Sequence, residues 1–385
     1  MDSEVLLFSL IQTVICGKSS DGLEAACTEE ALEAVYKLAK AHDLGHLVGQ
    51  AVSKLALPDS EILNTCKKAA MSAFLRQVQQ SQVFTQVAAA FEEAAIAFIP
   101  LKGLVLQRLY PQPWLRTSSD LDILVRQEDL ERAKKLLTEN LGYTYCKTSS
   151  HDVAFRTPQQ VYLELHYSLI EDFISPEAAK VMATVWNEAT PVAGHAYQLQ
   201  LPDALFYYYH IAHGAKHVLG GGCGIRVFLD IWVLENQVPH DRSEREALLA
   251  QGGMLPFARA AEALSRCWFG TGKADAMTEL LEQFILSGGN FGTLQNRVSI
   301  NQSRKGGKFH YALSRIFLPY SILQYHYPIL QKHKLLFPVY QIVRWCKLLF
   351  CGGAGRSMEE LQTNAGVTAK QKEATTTLLH YLQLK

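Results

Sequence analysis

Three carboxylates standing in apolar strands are the feature of this chain that most needs a chemical explanation. Asp120 and Asp122 sit in the run Asp120-Leu121-Asp122-Ile123-Leu124-Val125, and Glu164 sits in Val161-Tyr162-Leu163-Glu164-Leu165-His166. Acidic residues are depleted in strands, and a charge in an apolar run costs free energy unless it is paired or holds a metal. Residues i and i+2 of a strand share a face, so Asp120 and Asp122 project together while Leu121, Ile123 and Val125 turn into a core. Glu164, flanked by Leu163 and Leu165, repeats that arrangement. On neighbouring strands the carboxylates would converge and raise one another's pKa. Two Mg²⁺ ions (or Mn²⁺) roughly 3.5–4 Å apart would remove the penalty and supply phosphoryl-transfer chemistry. Magnesium takes oxygen ligands and keeps several waters, so no His or Cys is required.

Upstream, Lys102-Gly103 follows the short apolar run Ile96 to Leu101. A glycine at such a bend lets the backbone approach a phosphate, and Lys102 can meet phosphates as a point charge. Arg116, Ser118 and Ser119, just before the Asp pair, add further donors. Lys-Gly alone reads as an ordinary turn, and D-x-D alone is as readily a solvated strand edge. The features in series are far more specific than any one of them.

These side chains need a scaffold, and the hydrophobic periodicity outlines one. Strands are expected at Ile96–Leu101, Asp120–Val125, Tyr143–Thr148, Asp152–Arg156 and Val161–His166, with helices at Leu104–Tyr110 and Glu128–Asn140. The order β-α-β-α-β-β-β describes a small mixed sheet with helices packed on it. Before it, Glu30–Ala41 and Ile62–Ala90 read as helices, the latter with Met71, Phe74, Leu75, Val78 and Phe84 at helical spacing. After it, Pro202–Leu219, Arg226–Leu234 and Met254–Trp268 read as helices too. The expected class is therefore α+β. A helical region (1–90) precedes a core (91–175), and a helical domain (176–385) follows.

The bulk composition excludes several alternatives. The chain has 385 residues, 48% apolar and 19% charged, which suits a globular protein with a sizeable core rather than disorder. Net charge is zero, so no global field draws it to nucleic acid or membrane. The eight cysteines, Cys351 among them, show no CxxC spacing and read as scattered reduced thiols. Asp2 and Glu4 precede the first apolar run, the wrong sign for a secretory leader, and no run of about 18 apolar residues spans a bilayer. A cytoplasmic location is the expectation.

Weaker signals remain. His166 shares a face with Glu164 and could touch substrate or the leaving group. His210, His213 and His217 lie on one helix face, where a stripe facing the carboxylates or the core is favoured over zinc for want of a fourth ligand. Arg226 and Asp230 form an i, i+4 match read as structural. Residues 283–358 hold ten Lys or Arg, twelve aromatics and no acidic residue. That stretch could be a cleft wall complementing a triphosphate, an RNA-binding surface or an interfacial membrane helix at Leu335–Phe350. A partly buried helical domain with a positive inner face is favoured, and peripheral membrane contact is disfavoured.

The run Leu101-Lys102-Gly103, Tyr110-Pro111, Arg116, Asp120-Leu121-Asp122-Ile123-Leu124-Val125 and Leu141-Gly142-Tyr143 resembles the nucleotidyltransferase superfamily of DNA polymerase β type. More closely, it is similar to the bacterial "uncharacterised nucleotidyltransferase" family, which has Lys-Gly in place of the superfamily's Gly-Ser. The similarity continues through Glu164-Leu165-His166, the segment His210 to His217, Arg226 to Asp230, Phe317-Leu318-Pro319 and Tyr327-Pro328. The resemblance implies a nucleotidyltransferase core in which Asp120, Asp122 and Glu164 hold Mg²⁺. Glu164 also becomes a candidate base, and Lys102 and Gly103 grip the triphosphate. It implies transfer of a nucleoside monophosphate from an NTP such as ATP to an acceptor hydroxyl on a small molecule, peptide, protein or RNA. The alternative is an inactive nucleotide-binding sensor or partner-binding scaffold of the same fold.

Overall fold

The computed structural model describes residues 2–170, 175–350 and 354–384; Cys351 lies outside them. It divides into two compact units, one of Met1–His213 with Ile225–Ala274, the other of Gly214–Gly224 with Asp275–Lys385.

The first unit begins with helices α1 (Ser3–Ile15), α2 (Glu29–Ala41), α3 (Gly45–Val52) and α4 (Glu61–Glu93). Side-chain caps start three of them: Asp2 Oδ1 accepts from Glu4 N–H, Thr28 Oγ1 from Ala31 N–H, and Ser60 Oγ from Leu63 N–H. Helices α3 and α4 cross so closely that a Cβ on Gly49 would lie 2.0 Å from the Cys66 carbonyl oxygen. Only glycine fits there. The apolar stripe on α4 behaves unlike its periodicity. Leu63, Cys66, Ala70, Ala73, Val83, Val87 and Phe91 are buried, but Met71, Phe74, Leu75 and Val78 are exposed.

A five-stranded sheet follows, in the order β1-β2-β5-β4-β3: β1 Phe98–Pro100, β2 Asp120–Val125, β3 Thr144–Thr148, β4 Asp152–Arg156 and β5 Tyr162–His166. Strands β2 and β5 pair in parallel, and every other neighbouring pair is antiparallel. The sheet is mixed, so the class is α+β. Strand β1 is shorter than its apolar run because positive φ angles at Ala95 (+51°) and Lys102 (+41°) bend the chain on either side. The expected helix after it is a single turn, α5 (Gly103–Leu106), continued by a 3₁₀ turn at Gln107–Leu109. Helix α6 (Leu130–Lys135) loosens into a π turn at Leu136–Asn140 before Gly142.

One sheet face packs on α4 and α6. Leu121, Ile123, Val125, Val153, Phe155, Leu163 and Leu165 join Val83, Val87, Phe91, Leu130, Ala133 and Leu137 in one core. Alternation then sends Asp120, Asp122, Glu164, His166 and Asp152 to the other face. The edges differ. Strand β1 is covered by the segment around Tyr197, whose carbonyl accepts the Phe98 N–H at 3.0 Å, whereas β3 is exposed throughout and carries Lys147. A charged, bulged edge of that kind resists pairing with other chains.

Helices α7 (Asp203–Leu219), α8 (Ile225–Gln237) and α9 (Leu255–Phe269) complete the first unit, and the boundary between units falls within α7. The second unit is helical. Two of its basic side chains serve helix ends: Arg344 donates to the Ile316 and Arg315 carbonyls, and Lys308 to the Ala365 carbonyl. Cations at helix C-termini satisfy carbonyls that lack an intrahelical donor. Phe309, Phe317, Leu335 and Phe350 are exposed on this unit. Among the described residues no helix is long and apolar enough to cross a membrane.

Candidate active site

The parallel pairing of β2 with β5 sets Asp122 directly opposite Glu164. One donor atom each from Asp122, Glu164 and His166 lies within 4.8 Å of the others. Asp120, two residues before Asp122 on the same face, completes the acidic patch. Its carboxylate accepts from Ser118 Oγ at 3.0 Å. Lys102 Nζ and His166 Nε2 both reach Asp122 Oδ1, at 3.0 and 2.7 Å, and His166 Nε2 is 3.6 Å from Glu164.

Electrostatics separate the three carboxylates. Burial alone would raise the Asp122 pKa, but Lys102 and the His166 hydrogen bond outweigh it and hold the carboxyl well below its usual range. Burial and the Asp122 charge raise Asp120. Burial, then Asp122, Asp120 and Asp152, push Glu164 up to about 7. Desolvation opposes the Lys102 ammonium, yet Asp122, Tyr209 and Asp120 more than offset this and raise its pKa. The cluster therefore holds more negative charge than its own side chains neutralise. Asp120, Asp122 and Glu164 could hold a divalent cation through oxygen alone.

A loop frames the cluster, and it is clamped from three sides. Arg116 is buried and bidentate on Asp230 of α8 (Nε–Oδ1 2.8 Å, Nη2–Oδ2 2.9 Å), while Tyr110 Oη donates to the same Asp230 at 2.7 Å. The Leu115 carbonyl accepts from His46 of α3 at 2.9 Å, and the Ser118 carbonyl accepts from Gln80 of α4 at 3.0 Å. Gly103 lies under this loop. A Cβ there would come within 3.0 Å of the Ser118 side chain, so a larger residue would have to push Ser118 aside for the Lys-Gly bend and the loop to close.

The sequence-derived site residues divide accordingly. Lys102, Gly103, Ser118, Asp120, Asp122, Glu164 and His166 come together, and Ser119 is exposed beside them. Arg116 does not offer its guanidinium to the cluster: Asp230 and the Thr117 carbonyl take it. The Arg226–Asp230 pairing is absent for the same reason, and Arg226 turns to Asp43. His210 is buried and hydrogen-bonded to the Val227 carbonyl, His213 is tilted against the Tyr209 ring, and His217 belongs to the second unit. Sequence reasoning missed Tyr209, a fully buried phenol whose pKa is raised by burial and also responds to Lys102, Asp122 and Asp120, and nothing in Tyr207-Tyr208-Tyr209 marks it. It also missed His151 and Asp152, although Asp152 opens an apolar strand as Asp120 does.

A family model described as "uncharacterised nucleotidyltransferase" matches residues 28–270, which hold the whole sheet, its helical support and the Asp230 clamp. The chain belongs to this family. No curated protein and no solved structure matches it. The family's match supports a general role in nucleotidyl transfer, and it encloses every element that positions the carboxylates.

Proposed function

We propose that this protein moves a nucleoside monophosphate from an NTP to an acceptor hydroxyl and releases pyrophosphate, in a Mg²⁺- or Mn²⁺-dependent reaction. The observation that carries the reading is the convergence of Asp120, Asp122 and Glu164 on one sheet face beside Lys102. Asp120 and Glu164 are raised by burial and mutual repulsion, the condition that a divalent cation relieves. Bound there, such ions would neutralise the phosphates and favour ionisation of the attacking hydroxyl.

The chain's own groups then have defined tasks. Lys102 would exchange Asp122 for a phosphate oxygen. Glu164, titrating near neutrality, would accept the acceptor's proton as the new O–P bond forms and the bond to pyrophosphate breaks. His166 would keep Asp122 oriented. Beyond the ends of β2 and β5, a cleft of about 330 Å³ is lined by Leu124, Arg126, Glu128, Tyr167 and Trp186, with Arg126 stacked 4.5 Å over Trp186. It would give a base or acceptor both a flat wall and polar contacts.

Labelled NTPs offered with a broad acceptor panel, scored for pyrophosphate, test the proposal. Wild type should turn over and Asp120→Asn should not. A second reading, a nucleotide-binding protein without turnover, is favoured by one feature: Lys102 already neutralises Asp122. Binding of NTP with Mg²⁺ and no pyrophosphate from any acceptor would select it.

A further inference from the structure

We infer that the turn between β3 and β4, together with His166, forms a second cation site, selective for a divalent transition ion such as Zn²⁺. One donor atom each from His151, Asp152 and His166 lies within 4.8 Å of the others. The side chains come from the turn, the start of β4 and the end of β5, where Asp152 and His166 are register partners.

The hydrogen bonds leave one buried atom of His166 and one of Asp152 for a ligand. Asp122, salt-bridged to Lys102, is a carboxylate and can only accept, so His166 must donate from Nε2. The remaining nitrogen, Nδ1, carries a lone pair, is buried and has no partner. Asp152 Oδ2 accepts from Ser149 Oγ at 2.7 Å, while Asp152 Oδ1 is buried without a partner. His151 Nδ1 lies 3.3 Å from the hydroxyls of Ser149 and Ser150, and its Nε2 lies 3.1 Å from Asp152 Oδ2. His166 is 3% exposed and Asp152 4%, so each orphaned atom forfeits water as well as a protein partner. Such groups normally destabilise a fold unless something occupies them.

A metal accounts for both orphans. Ligating imidazoles characteristically donate their other nitrogen to a carboxylate or hydroxyl, which fixes the tautomer and orients the lone pair. Ligand distances of about 2.0–2.2 Å put donors no more than about 4.4 Å apart, so small rotations would close this set. Two nitrogens and one oxygen suit Zn²⁺ or Co²⁺ far better than Mg²⁺. His151 is the most exposed of the three and gives the ion its way in. The ion would hold His166, and through it Asp122, in place. The inference does not depend on nucleotidyl transfer and would hold equally in a chain without turnover.

Co²⁺ titration of the full chain in excess Mg²⁺ tests it. One Co²⁺ per chain should bind with visible d–d absorption. His151→Ala should weaken binding by at least about tenfold, while Asp120→Asn should leave it intact. Since His151 is partly exposed, metal-free melting of His151→Ala should match wild type. A second arm needs no variant: on Zn²⁺ addition to nitrogen-labelled wild type, the His166 Nδ1 resonance should move and Nε2 should not. Equal Co²⁺ affinity in wild type and His151→Ala, displacement by Mg²⁺, or movement of Nε2 instead would overturn the site.

Discussion

Two buried charge clusters lie within the first unit, and they are built on opposite principles. In the clamp, one anion meets one cation: Asp230 is 1% exposed, both its oxygens are paired with Arg116, and Tyr110 adds a third donor. In the cluster on β2 and β5, three carboxylates face one lysine, and their pKa values are driven apart. The first is closed and balanced, so it specifies a loop conformation. The second is left with negative charge and with two carboxyls raised in pKa, the condition that a proton or a bound cation would relieve. Burial by itself does not tell the two apart; charge balance does.

The sharpest way to break that contrast is to remove charge from the unbalanced cluster. Asp120→Asn should lower pyrophosphate release by on the order of 10³-fold or more. It should leave the melting temperature unchanged or slightly higher, because the ionised Asp120 is disfavoured where it stands. A large loss of stability instead would make Asp120 structural. The reverse holds for the clamp. Asp230→Ala strands the Arg116 guanidinium away from water and should cost about 3–5 kcal/mol in urea denaturation. A loss under about 1 kcal/mol would mean the clamp is not closed as described.

The two clusters also differ in how far the sequence announced them. The strand bounds of β2 and β4, and the shared face of Asp120, Asp122 and Glu164, follow from a period of two and the cost of charge in an apolar run. The same rule applied to Asp152 would have found the second cation cluster. The clamp was not legible, because Arg116 and Asp230 are 114 residues apart and a nearer partner, Arg226, satisfied the helical spacing rule. The exposed stripe on α4 shows periodicity reporting a face without reporting what covers it. The basic stretch of the second unit, read as the positive inner face of a partly buried helical domain, uses part of its charge to close helix ends.

Acid separates the clusters from a different side. Burial lowers the His46 pKa to about 4 from its ordinary 6.5, so the neutral ring donates to Leu115 and holds the loop. The folded state thus binds fewer protons than the unfolded one between those values. The stability His46 contributes is present above pH 6.5 and is lost as pH falls toward 4, by on the order of 3 kcal/mol in full. His46→Gln, which keeps a donor without a titration, should flatten the urea midpoint across that window.

Glu164 predicts the smallest effect, and it runs in the opposite direction. Its folded pKa is raised to about 7 from 4.5, so the metal-free protein holds the extra proton and loses stability as pH rises through that range. A divalent cation bound there must displace the proton. Below pH 7 its apparent affinity should fall about tenfold per pH unit, and with it about 1.4 kcal/mol of ligand-linked stability. The melting shift given by saturating Mg²⁺ at pH 8 should therefore shrink at pH 6. Glu164→Gln should abolish the pH dependence of that shift while leaving the acid limb set by His46 untouched. If Mg²⁺ raised the melting temperature equally at both pH values, the unbalanced cluster would not be where the cation sits. The contrast with the clamp would then reduce to two ways of burying charge, neither of them waiting for a ligand.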